Sequence, residues 1–363
     1  MTIAPLDQPK SLTAPTLAIV IVNFNSWPDS QRLVKALTSS GDSTDDPVEV
    51  ILVDNASEDP PPPGLSRRSR VLVIPRSDNA GFAAGVNTAW RQTSARWLLL
   101  LNPDIDAGPD LVLSVLRRIH QFEARPNHAP GIVGFALKNK DGSRQHSVGS
   151  FPTLARFLRE IAKPRSRRKY WPLRKTTSGP VPWVTGACLL VQSALLAELG
   201  GMDEEFFLYH EEVALCRSAW DRGWTVEFDD SIAVRHLHPL QSRAVSPVLR
   251  VVTRHSKLLY FLKFRPRWEF SILAWIIAWE ATFRRLLGRI SGREAEAKAW
   301  ETIRHIARDL GEGRGPRGVE VRALAENAVR RAARLDLSCS SGGSPRSSRR
   351  RSSIHLDVFR RSR

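Results

Sequence analysis

The feature that most constrains the fold is a series of short, uninterrupted apolar runs that alternate with helical patterns. The runs predicted to be strands are Leu17–Asn23, Glu49–Val53, Val71–Ile74, Trp97–Leu101 and Ile132–Leu137. The intervening segments predicted to be helices are Pro28–Ser39, Gly81–Gln92 and Pro109–Phe122. A strand without polar positions is buried on both faces, and strands that alternate with helices form parallel sheets. The sequence therefore predicts an α/β fold with a mostly parallel sheet covered by helices.

The rest of the chain predicts a few more sheet elements and then a long helical region. The predicted elements are a strand at Trp183–Val191, helices at Ser193–Leu199 and Glu211–Arg222, a strand at Thr225–Phe228, and helices over most of 253–310. Residues 138–180 are irregular and basic, which is typical of a loop or insertion near a substrate entrance. The predicted organisation is an extension at 1–16, a catalytic domain at 17–240, a helical region at 241–310, and a basic, largely disordered tail at 311–363.

Charge and cysteine content narrow the class of partner and the compartment. The chain has 54 Lys and Arg against 37 Asp and Glu, which gives a net charge of +17. This surplus favours polyanionic partners such as nucleic acid, anionic lipid or phosphorylated substrates. Three sparse cysteines suit a reducing cytoplasm, and no signal peptide is expected. The longest apolar stretch, Phe270–Phe283, is interrupted by Glu280 and is too short to span a membrane, although it could lie on one.

Polar side chains stand at the ends of three predicted strands. They are Asn23 and Asn25 after the first, Asp54 and Asn55 after the second, and Asp104 and Asp106 after the fourth. Ligands of open parallel sheets bind at the carboxyl ends of the strands. The three polar ends therefore predict one shared binding crevice.

Asp104 and Asp106 are the strongest candidates for chemistry within that crevice. They follow a buried strand in the sequence LLLLNPDID, two residues apart. Carboxylates in this arrangement suit Mg²⁺ or Mn²⁺, which take further oxygens from a diphosphate. The same pair also suits a turn followed by a helix cap, and the pattern alone leaves both interpretations open.

Other candidates are weaker when each is taken alone. Asp54 could accept a hydrogen bond from a base or a ribose, and Gly81 could let backbone N–H groups approach a phosphate. Glu211 or Glu212 could act as a general base, although acids also favour the first turn of any helix. His236 could complete a metal site or could be an ordinary surface histidine.

Six motifs in a fixed order resemble glycosyltransferase family 2, and among its members the bacterial rhamnosyltransferases that extend lipid-linked saccharides. The motifs are VIVNFN, VDNAS, DNAGFAAGVN, LLLNPDI, WVTGACLLV and GGMDEEFFLYHEEVALCRSAWDRGW. They cover roughly residues 17–240. The resemblance implies a GT-A fold, in which a nucleotide-binding sheet is fused to an acceptor-binding region.

The resemblance also implies a role for each matching residue. The implied donor-nucleotide residues are Asn23, Asp54, Asn79, Gly81, Phe82 and Asn102, and the implied metal ligands are Asp104, Asp106 and His236. Trp183, Thr185 and Gly186 match a loop beneath donor and acceptor. Asn102 stands where the family's DxD motif has its first acid. Glu212 stands where many relatives have a catalytic Asp, so Glu212 is the implied base and Glu211 the next candidate.

The implied reaction is an inverting, metal-dependent transfer from a nucleotide sugar with Mg²⁺ or Mn²⁺. The implied donor is dTDP-rhamnose and the implied acceptor is a lipid-linked or cell-envelope saccharide, with the enzyme in the cytoplasm and peripheral on the inner face of the membrane. Aromatic and basic residues over 253–287 suit such a surface, although an ordinary helical core has a similar pattern.

Three alternative functions differ from this one. Transfer of another hexose or of galactofuranose fits the same motifs. A nucleotide-binding dehydrogenase would need GxGxxG after its first strand, which this chain lacks. A nucleic-acid-binding protein is suggested by the net charge, but no zinc, RRM or KH signature is present, and no nucleic-acid partner is expected.

Overall fold

The computed structural model describes residues 14–41, 46–65, 67–68, 70–125, 129–161, 170–172, 176–239 and 245–340. Its strands are β1 (Leu17–Asn23), β2 (Val48–Asp54), β3 (Val71–Pro75), β4 (Trp97–Leu101), β5 (Ile105–Asp106), β6 (Ile132–Lys138), β7 (Arg144–Gln145), β8 (Val148–Gly149), β9 (Gly179–Pro180), β10 (Trp183–Val184), β11 (Cys188–Gln192) and β12 (Val226–His236). Its helices are α1 (Trp27–Gly41), α2 (Phe82–Trp90), α3 (Leu111–Glu123), α4 (Leu154–Glu160), α5 (Ser193–Leu199), α6 (Glu211–Asp221), α7 (Pro247–Phe264), α8 (Arg267–Ile290), α9 (Glu294–Gly311) and α10 (Val319–Ser340).

One large sheet organises the first two thirds of the chain. Its strand order is β3-β2-β1-β4-β11-β6-β12-β5, with β7 and β9 attached at β6 and β12. Strands β3, β2, β1 and β4 run parallel, and so do β6 and β12. The sheet therefore has a fully parallel half and a mixed half, which confirms the predicted mostly parallel α/β fold.

Helices cover both faces of the sheet. Successive side chains of the central strand β1 point to opposite faces, so each face has an apolar core of its own. Ala18 and Val20 of β1 belong to one core, together with Val86 of α2 and residues of α6 and α7. Ile19 of β1 belongs to the other core, together with Leu33 of α1 and residues of α3. The strands are buried on both faces, as their uninterrupted apolar sequences predict.

The predicted strand Trp183–Val191 is wrong as a single element. The structure divides this run into β10, which pairs with β8 in a separate two-stranded sheet, and β11, which enters the main sheet between β4 and β6. Residues 185–187 form the connection between the two sheets. The apolar run is continuous in sequence because both strands are buried, so hydrophobicity alone does not mark the break.

Two further predictions about element ends need correction. The strand predicted at Thr225–Phe228 is the start of β12, which continues to His236 after a register shift between Asp229 and Ala233. The helical region begins at Pro247 rather than at residue 253. Helices α1, α2, α3, α5 and α6 lie within two residues of their predicted ends, whereas α4 lies in the segment 138–180 that was predicted to be irregular.

The tail predicted to be largely disordered from residue 311 contains helix α10. Val321, Ala325 and Val329 recur every four residues and are buried, so this helix has an apolar face that packs on its neighbours. That periodic face is why the segment folds despite its charge. Residues 341–363 of the tail, the extension 1–13 and the basic run Arg165–Lys169 lie outside the described residues. Among the helices that the structure describes, none is long and apolar enough to cross a membrane.

Candidate active site

The carboxyl ends of β1 and β2 are joined by a buried polar network. Asn23 is fully buried, and its Nδ2 donates to Oδ1 of Asp54 at 2.9 Å and to Oγ of Ser57 at 3.0 Å. Its amide oxygen accepts from Oγ of Ser30 at 2.8 Å. These contacts fix the Asp54 carboxylate at the sheet edge. The structure thus brings together two of the residues that the sequence predicts for nucleotide binding.

Gly81 lies where the backbone before α2 meets the loop before α6. Its φ is +98°, and a Cβ at this position would lie 2.1 Å from the carbonyl oxygen of Phe207. That same carbonyl accepts a hydrogen bond from the N–H of Phe82 at 3.1 Å. The Gly81 N–H donates to Oδ1 of Asn79 at 3.1 Å, and the Gly81 carbonyl accepts from Nδ2 of Asn55 at 2.8 Å. Only glycine permits this close approach of two backbones.

Asp104 and His236 meet where the short strand β5 pairs with β12. Nε2 of His236 lies 3.4 Å from Oδ1 of Asp104, and their side chains are 11% and 13% exposed. The other Asp104 oxygen accepts from the backbone N–H of His238 at 3.1 Å, and Nδ1 of His236 contacts Gln145 at 3.2 Å. A carboxylate beside an imidazole whose other nitrogen is held by Gln145 fits a divalent metal as two of its ligands.

Asp106 does not join that pair. In the β5–β12 pairing it lies opposite Arg235, and the two side chains form an exposed ion pair at 3.1 Å. Alternation along the strand points neighbouring side chains to opposite faces, which separates Asp106 from the side on which His236 lies. The described residues contain no group of three His, Cys, Asp or Glu that could hold a metal. Of the three predicted ligands, the structure brings Asp104 and His236 together and pairs Asp106 with Arg235. The metal-binding role of all three stays a prediction.

The connection between β10 and β11 brings the predicted base to the donor segment. A Cβ at Gly186 would lie 3.4 Å from Cβ of Glu212 and 3.9 Å from Cε1 of Phe82. The backbone on either side is fixed, since the Thr185 N–H donates to Ser147 and the Asn102 N–H donates to the Ala187 carbonyl. Gly186 thus lies between two candidate residues that are about 130 positions apart in sequence.

Trp183 forms the buried floor before this connection. Its side chain is fully buried, and its indole N–H donates to the carbonyl of Ser150 at 2.9 Å. Burial of the ring and the hydrogen bond of its N–H fix the side chain of Trp183, and this fixes the position of β10 before the connection begins. Of the predicted loop residues, Trp183 lies in β10, whereas Thr185 and Gly186 lie in the connection that follows it. Gly186 faces Glu212 and Phe82.

Glu211 and Glu212 begin α6 and are both buried, at 6% exposure each. The two residues before the helix, Tyr209 and His210, have φ values of +66° and +70°. Non-glycine residues rarely adopt this conformation, and consecutive examples cost free energy that the surrounding structure must offset. The strained turn sets the direction in which α6 presents its first carboxylates.

The C-terminal helices hold the loop ahead of α6, a role that the sequence analysis missed. Oγ of Ser256 on α7 donates to the Leu208 carbonyl at 2.8 Å. The Arg322 guanidinium of α10 lies 4.7 Å from the ring centre of Phe24 and 6.0 Å from that of Phe207. Arg322 thus joins the loop after β1 to the loop before α6. The spacing of Val321 and Ala325 was the only local signal that this segment packs on the rest of the chain.

Two cysteines near the site take no part in its chemistry. Burial raises the pKa of Cys188 to about 12, and it does the same for Cys216, where the nearby Glu212 carboxylate adds to the effect. Both thiols therefore stay protonated at neutral pH, and a thiolate nucleophile is excluded at these positions.

Comparison with known proteins identifies the family of the N-terminal half of the chain. Residues 18–171 match the family model described as glycosyl transferase family 2. The chain carries a glycosyltransferase family 2 domain. The family and the enzyme class predicted from the six motifs are confirmed.

Two curated relatives align with much of this glycosyltransferase. The N-acetylglucosaminyl-diphospho-decaprenol L-rhamnosyltransferase of Mycobacterium tuberculosis is 26% identical over 313 residues, which cover 79% of this chain and 97% of the relative. The low-salt glycan biosynthesis hexosyltransferase Agl10 of Haloferax volcanii is 24% identical over 213 residues, 56% of this chain and 61% of the relative.

Solved structures show a looser likeness. The mannosyltransferase PcManGT from Pyrobaculum calidifontis, solved with GDP-Man and Mn²⁺, is 14% identical, with a TM-score of 0.46 over 93% of this chain and 79% of that one. TarS residues 1–349 from S. aureus, solved with UDP-GlcNAc, are 15% identical, with a TM-score of 0.44 over 89% and 92%. The fold assignment rests on the sheet order and the family match.

Proposed function

We propose that this glycosyltransferase moves L-rhamnose from dTDP-rhamnose to a hydroxyl group of a lipid-linked saccharide, with inversion at the anomeric carbon. The observation that carries the proposal is the alignment with the mycobacterial L-rhamnosyltransferase, which spans 97% of that relative and most of this chain. The alignment thus extends beyond the sheet into the helices that follow it. The catalytic unit is residues 17–240, and the helical region from 241 onward serves the acceptor.

Glu212 is the proposed general base. An inverting displacement needs one carboxylate beside the attacking hydroxyl group. Glu212 is buried, stands in the first turn of α6 and lies against Gly186, which also neighbours Phe82. Its carboxylate accepts the proton as the acceptor oxygen bonds to the anomeric carbon, and the bond from that carbon to the diphosphate oxygen breaks. The nucleoside diphosphate leaves with the electron pair.

Asp104 and His236 would hold a divalent metal, either Mg²⁺ or Mn²⁺. Their carboxylate and imidazole lie together at low exposure, which is the arrangement that a metal with further diphosphate and water ligands requires. When bound, such a metal neutralises negative charge on the leaving diphosphate. Asp106, which pairs with Arg235, contributes to the surface beside this site rather than to the metal.

The nucleotide is proposed to bind along the ends of β1, β2 and β4. Asn23 and Asp54 form the polar network at one end, and Gly81 with Phe82 forms the wall facing α6. The remaining predicted donor residues are Asn79, whose side chain caps the Gly81 N–H, and Asn102, whose backbone joins the connection after β10. An asparagine at 102 leaves Asp104 as the single acid of the Asn-Pro-Asp turn.

Peripheral contact with the inner face of the membrane is proposed for α8. One side of this helix carries large exposed apolar side chains, of which Trp275, Trp279, Phe283 and Ile290 are 61–74% exposed. Arg284 and Arg289 lie on the same helix. Exposed tryptophans combined with arginines suit an anionic membrane surface. Replacing Trp275 and Trp279 by serine should abolish flotation with anionic liposomes; unchanged flotation would exclude this face as the membrane contact.

A donor screen tests the proposed reaction. The full chain is incubated with a polyprenyl-diphosphate-linked N-acetylglucosamine and one of dTDP-rhamnose, UDP-galactofuranose, UDP-glucose or GDP-mannose, each with Mg²⁺ or Mn²⁺. Release of the nucleoside diphosphate and the anomeric configuration of the product are measured. Turnover with dTDP-rhamnose well above the other donors, with inversion, supports the proposal. Preference for another donor establishes instead transfer of another hexose or of galactofuranose, the activity class that Agl10 represents among the relatives.

A further inference from the structure

A cavity of about 410 Å³ lies between α4, α7 and α8, apart from the nucleotide side of the site. Its walls come from the segment after β8, from the loop before α6 and from the facing sides of the two long helices. None of the nucleotide-binding or metal-binding candidates lines it. This cavity, named here the helical pocket, is therefore distinct from the proposed nucleotide site.

The helical pocket is basic. Five basic side chains line it against two acidic ones, and the basic residues are Arg156, Arg250, Arg254, Lys257 and Arg284. The two acids are Glu160 and Glu280. Buried or half-buried positive charge in this excess favours an anion with several charges and with oxygens on more than one side.

Three acids pair with four of these cations: Glu160 with Arg156, Glu296 with Arg250, and Glu280 with both Arg254 and Arg284. Glu280 accepts two hydrogen bonds from Arg254, both at 3.1 Å, and a third from Arg284 at 3.1 Å. One carboxylate thus serves two guanidinium groups. Five basic side chains against these three carboxylates leave a net positive charge around the cavity.

One wall of the pocket leads directly into the catalytic helix. Tyr209 and His210 line the cavity, and Glu211 and Glu212 follow them at the start of α6. Their positive φ values turn the chain at this point. An anion held in the pocket therefore lies beside the turn that leads directly to the proposed base.

The rim of the pocket is apolar. Leu158 and Ile161, on and just after α4, are 48% and 50% exposed, and Ile161 also lines the cavity. On the opposite side, Trp279 and Phe283 of α8 are 62% and 61% exposed, beside the lining residues Glu280 and Arg284. A ligand with a charged centre and an attached hydrocarbon chain matches a basic cavity with such a rim.

We propose that the helical pocket binds the diphosphate of a polyprenyl-diphosphate-linked acceptor, with the saccharide directed to Glu212 and the lipid leaving across α4 and α8. The inference rests on the proposed function, because that function supplies a lipid-linked acceptor. It adds the site at which the acceptor's charged group is recognised. Lys257 and Arg284 are the residues through which it is tested.

The test measures binding of farnesyl diphosphate to the full chain by isothermal titration calorimetry. Lys257→Met keeps the side-chain length that packs on Phe157, and Arg284→Gln changes a half-exposed side chain, so both variants should fold. Each is expected to weaken binding at least tenfold, which corresponds to about 1.4 kcal/mol. The matched control is Arg304→Ala, which removes an exposed positive charge of α9 outside the pocket.

Three companion ligands identify what is recognised. Inorganic pyrophosphate should bind more weakly than farnesyl diphosphate, and its affinity should fall in the same variants. The affinity for farnesol, which carries no phosphate, should be the same in the variants as in the wild-type chain. An excess of dTDP should leave farnesyl diphosphate bound. Displacement by dTDP, equal binding of farnesol, or equal losses in Arg304→Ala would each overturn the assignment.

A kinetic measurement separates this inference from the proposed function. With a diphosphate-linked acceptor, the two pocket variants should raise the acceptor KM tenfold or more and leave the KM for dTDP-rhamnose unchanged. Turnover by the wild-type chain with no change of acceptor KM in the variants would refute the pocket and leave the function intact. Farnesyl diphosphate binding lost in the variants, with no rhamnose transfer by the wild type, would refute the function and leave the pocket intact.

Discussion

Replacing Gly81 by alanine tests whether the contact between the donor segment and the loop before α6 sets the geometry of the site. The new Cβ would lie 2.1 Å from the Phe207 carbonyl oxygen, more than 1 Å inside ordinary van der Waals contact. The backbone fixes the position of the Cβ, and the oxygen belongs to the backbone of Phe207, so no side-chain rotation can relieve the overlap. The φ of +98° adds strain, because an alanine in this region of backbone conformation costs about 1–3 kcal/mol.

The loss of stability and the loss of activity can both be stated in advance. Separating the backbones lengthens the hydrogen bond from the Phe82 N–H to the Phe207 carbonyl, which adds about 1 kcal/mol to the strain. The variant should therefore unfold at lower urea concentration, by about 2–4 kcal/mol in free energy. A displacement of about 1 Å between donor wall and base should lower kcat/KM about 100-fold.

Gly108→Ala is the matched control, since no heavy atom lies within 4 Å of a Cβ at that position. Activity is measured as nucleoside diphosphate release, and stability as urea denaturation followed by tryptophan fluorescence. If Gly81→Ala stays within about threefold of Gly108→Ala in kcat/KM, the close backbone approach does not position the reacting groups and the reasoning is refuted.

Three further predictions concern single ionisable groups. Glu212→Gln should lower kcat at least about 1,000-fold while the affinity for dTDP stays the same, and Glu211→Gln should change kcat less than tenfold; the reverse order in single-turnover rates would move the base to Glu211. Asp104→Ala should abolish metal-stimulated turnover. Asp106→Asn should lower turnover less than about threefold, because it removes only an exposed ion pair. Equal losses of turnover in a Mn²⁺ titration of the two variants would contradict these different roles. Burial lowers the pKa of His255 from 6.5 to about 4, so between these pH values the unfolded chain binds a proton and the folded chain does not. The free energy of unfolding should therefore fall by about 3 kcal/mol as the pH drops through this window. His255→Gln should remove this pH dependence when stability is measured by urea titration.

The sequence predicted the sheet well because its signals are local. Continuous apolar runs identify strands buried on both faces, and polar residues mark their ends, so Asn23, Asp54 and Asp104 are predicted at one edge of the sheet. The structure joins the first two by a hydrogen bond. The fate of Asp106 could not be predicted in this way. It depends on which strand pairs with β5, and that partner, β12, lies some 130 residues further along the chain.

The same limit explains why the run WVTGACLLV was assigned to one strand. Its two halves belong to different sheets, and both are buried, so composition does not separate them. Gly186 could have indicated the break, since a glycine inside an apolar run weakens a strand. The contacts of α10 with Phe24 and Phe207 were beyond local patterns for another reason: a cation over an aromatic ring leaves no periodic trace in sequence.

Arg322 has a consequence for how enzymes of this shape can change their acceptor. Its guanidinium lies over aromatic rings from two loops of the catalytic unit, and Ser256 holds the carbonyl of Leu208 in the second of them. Exchanging the C-terminal helices for those of a relative would therefore replace supports of the catalytic turn together with the acceptor pocket. A change of these helices should therefore alter acceptor choice and reaction rate together. A chimaera that takes the C-terminal helices of a relative must also take that relative's residues at positions 207–210.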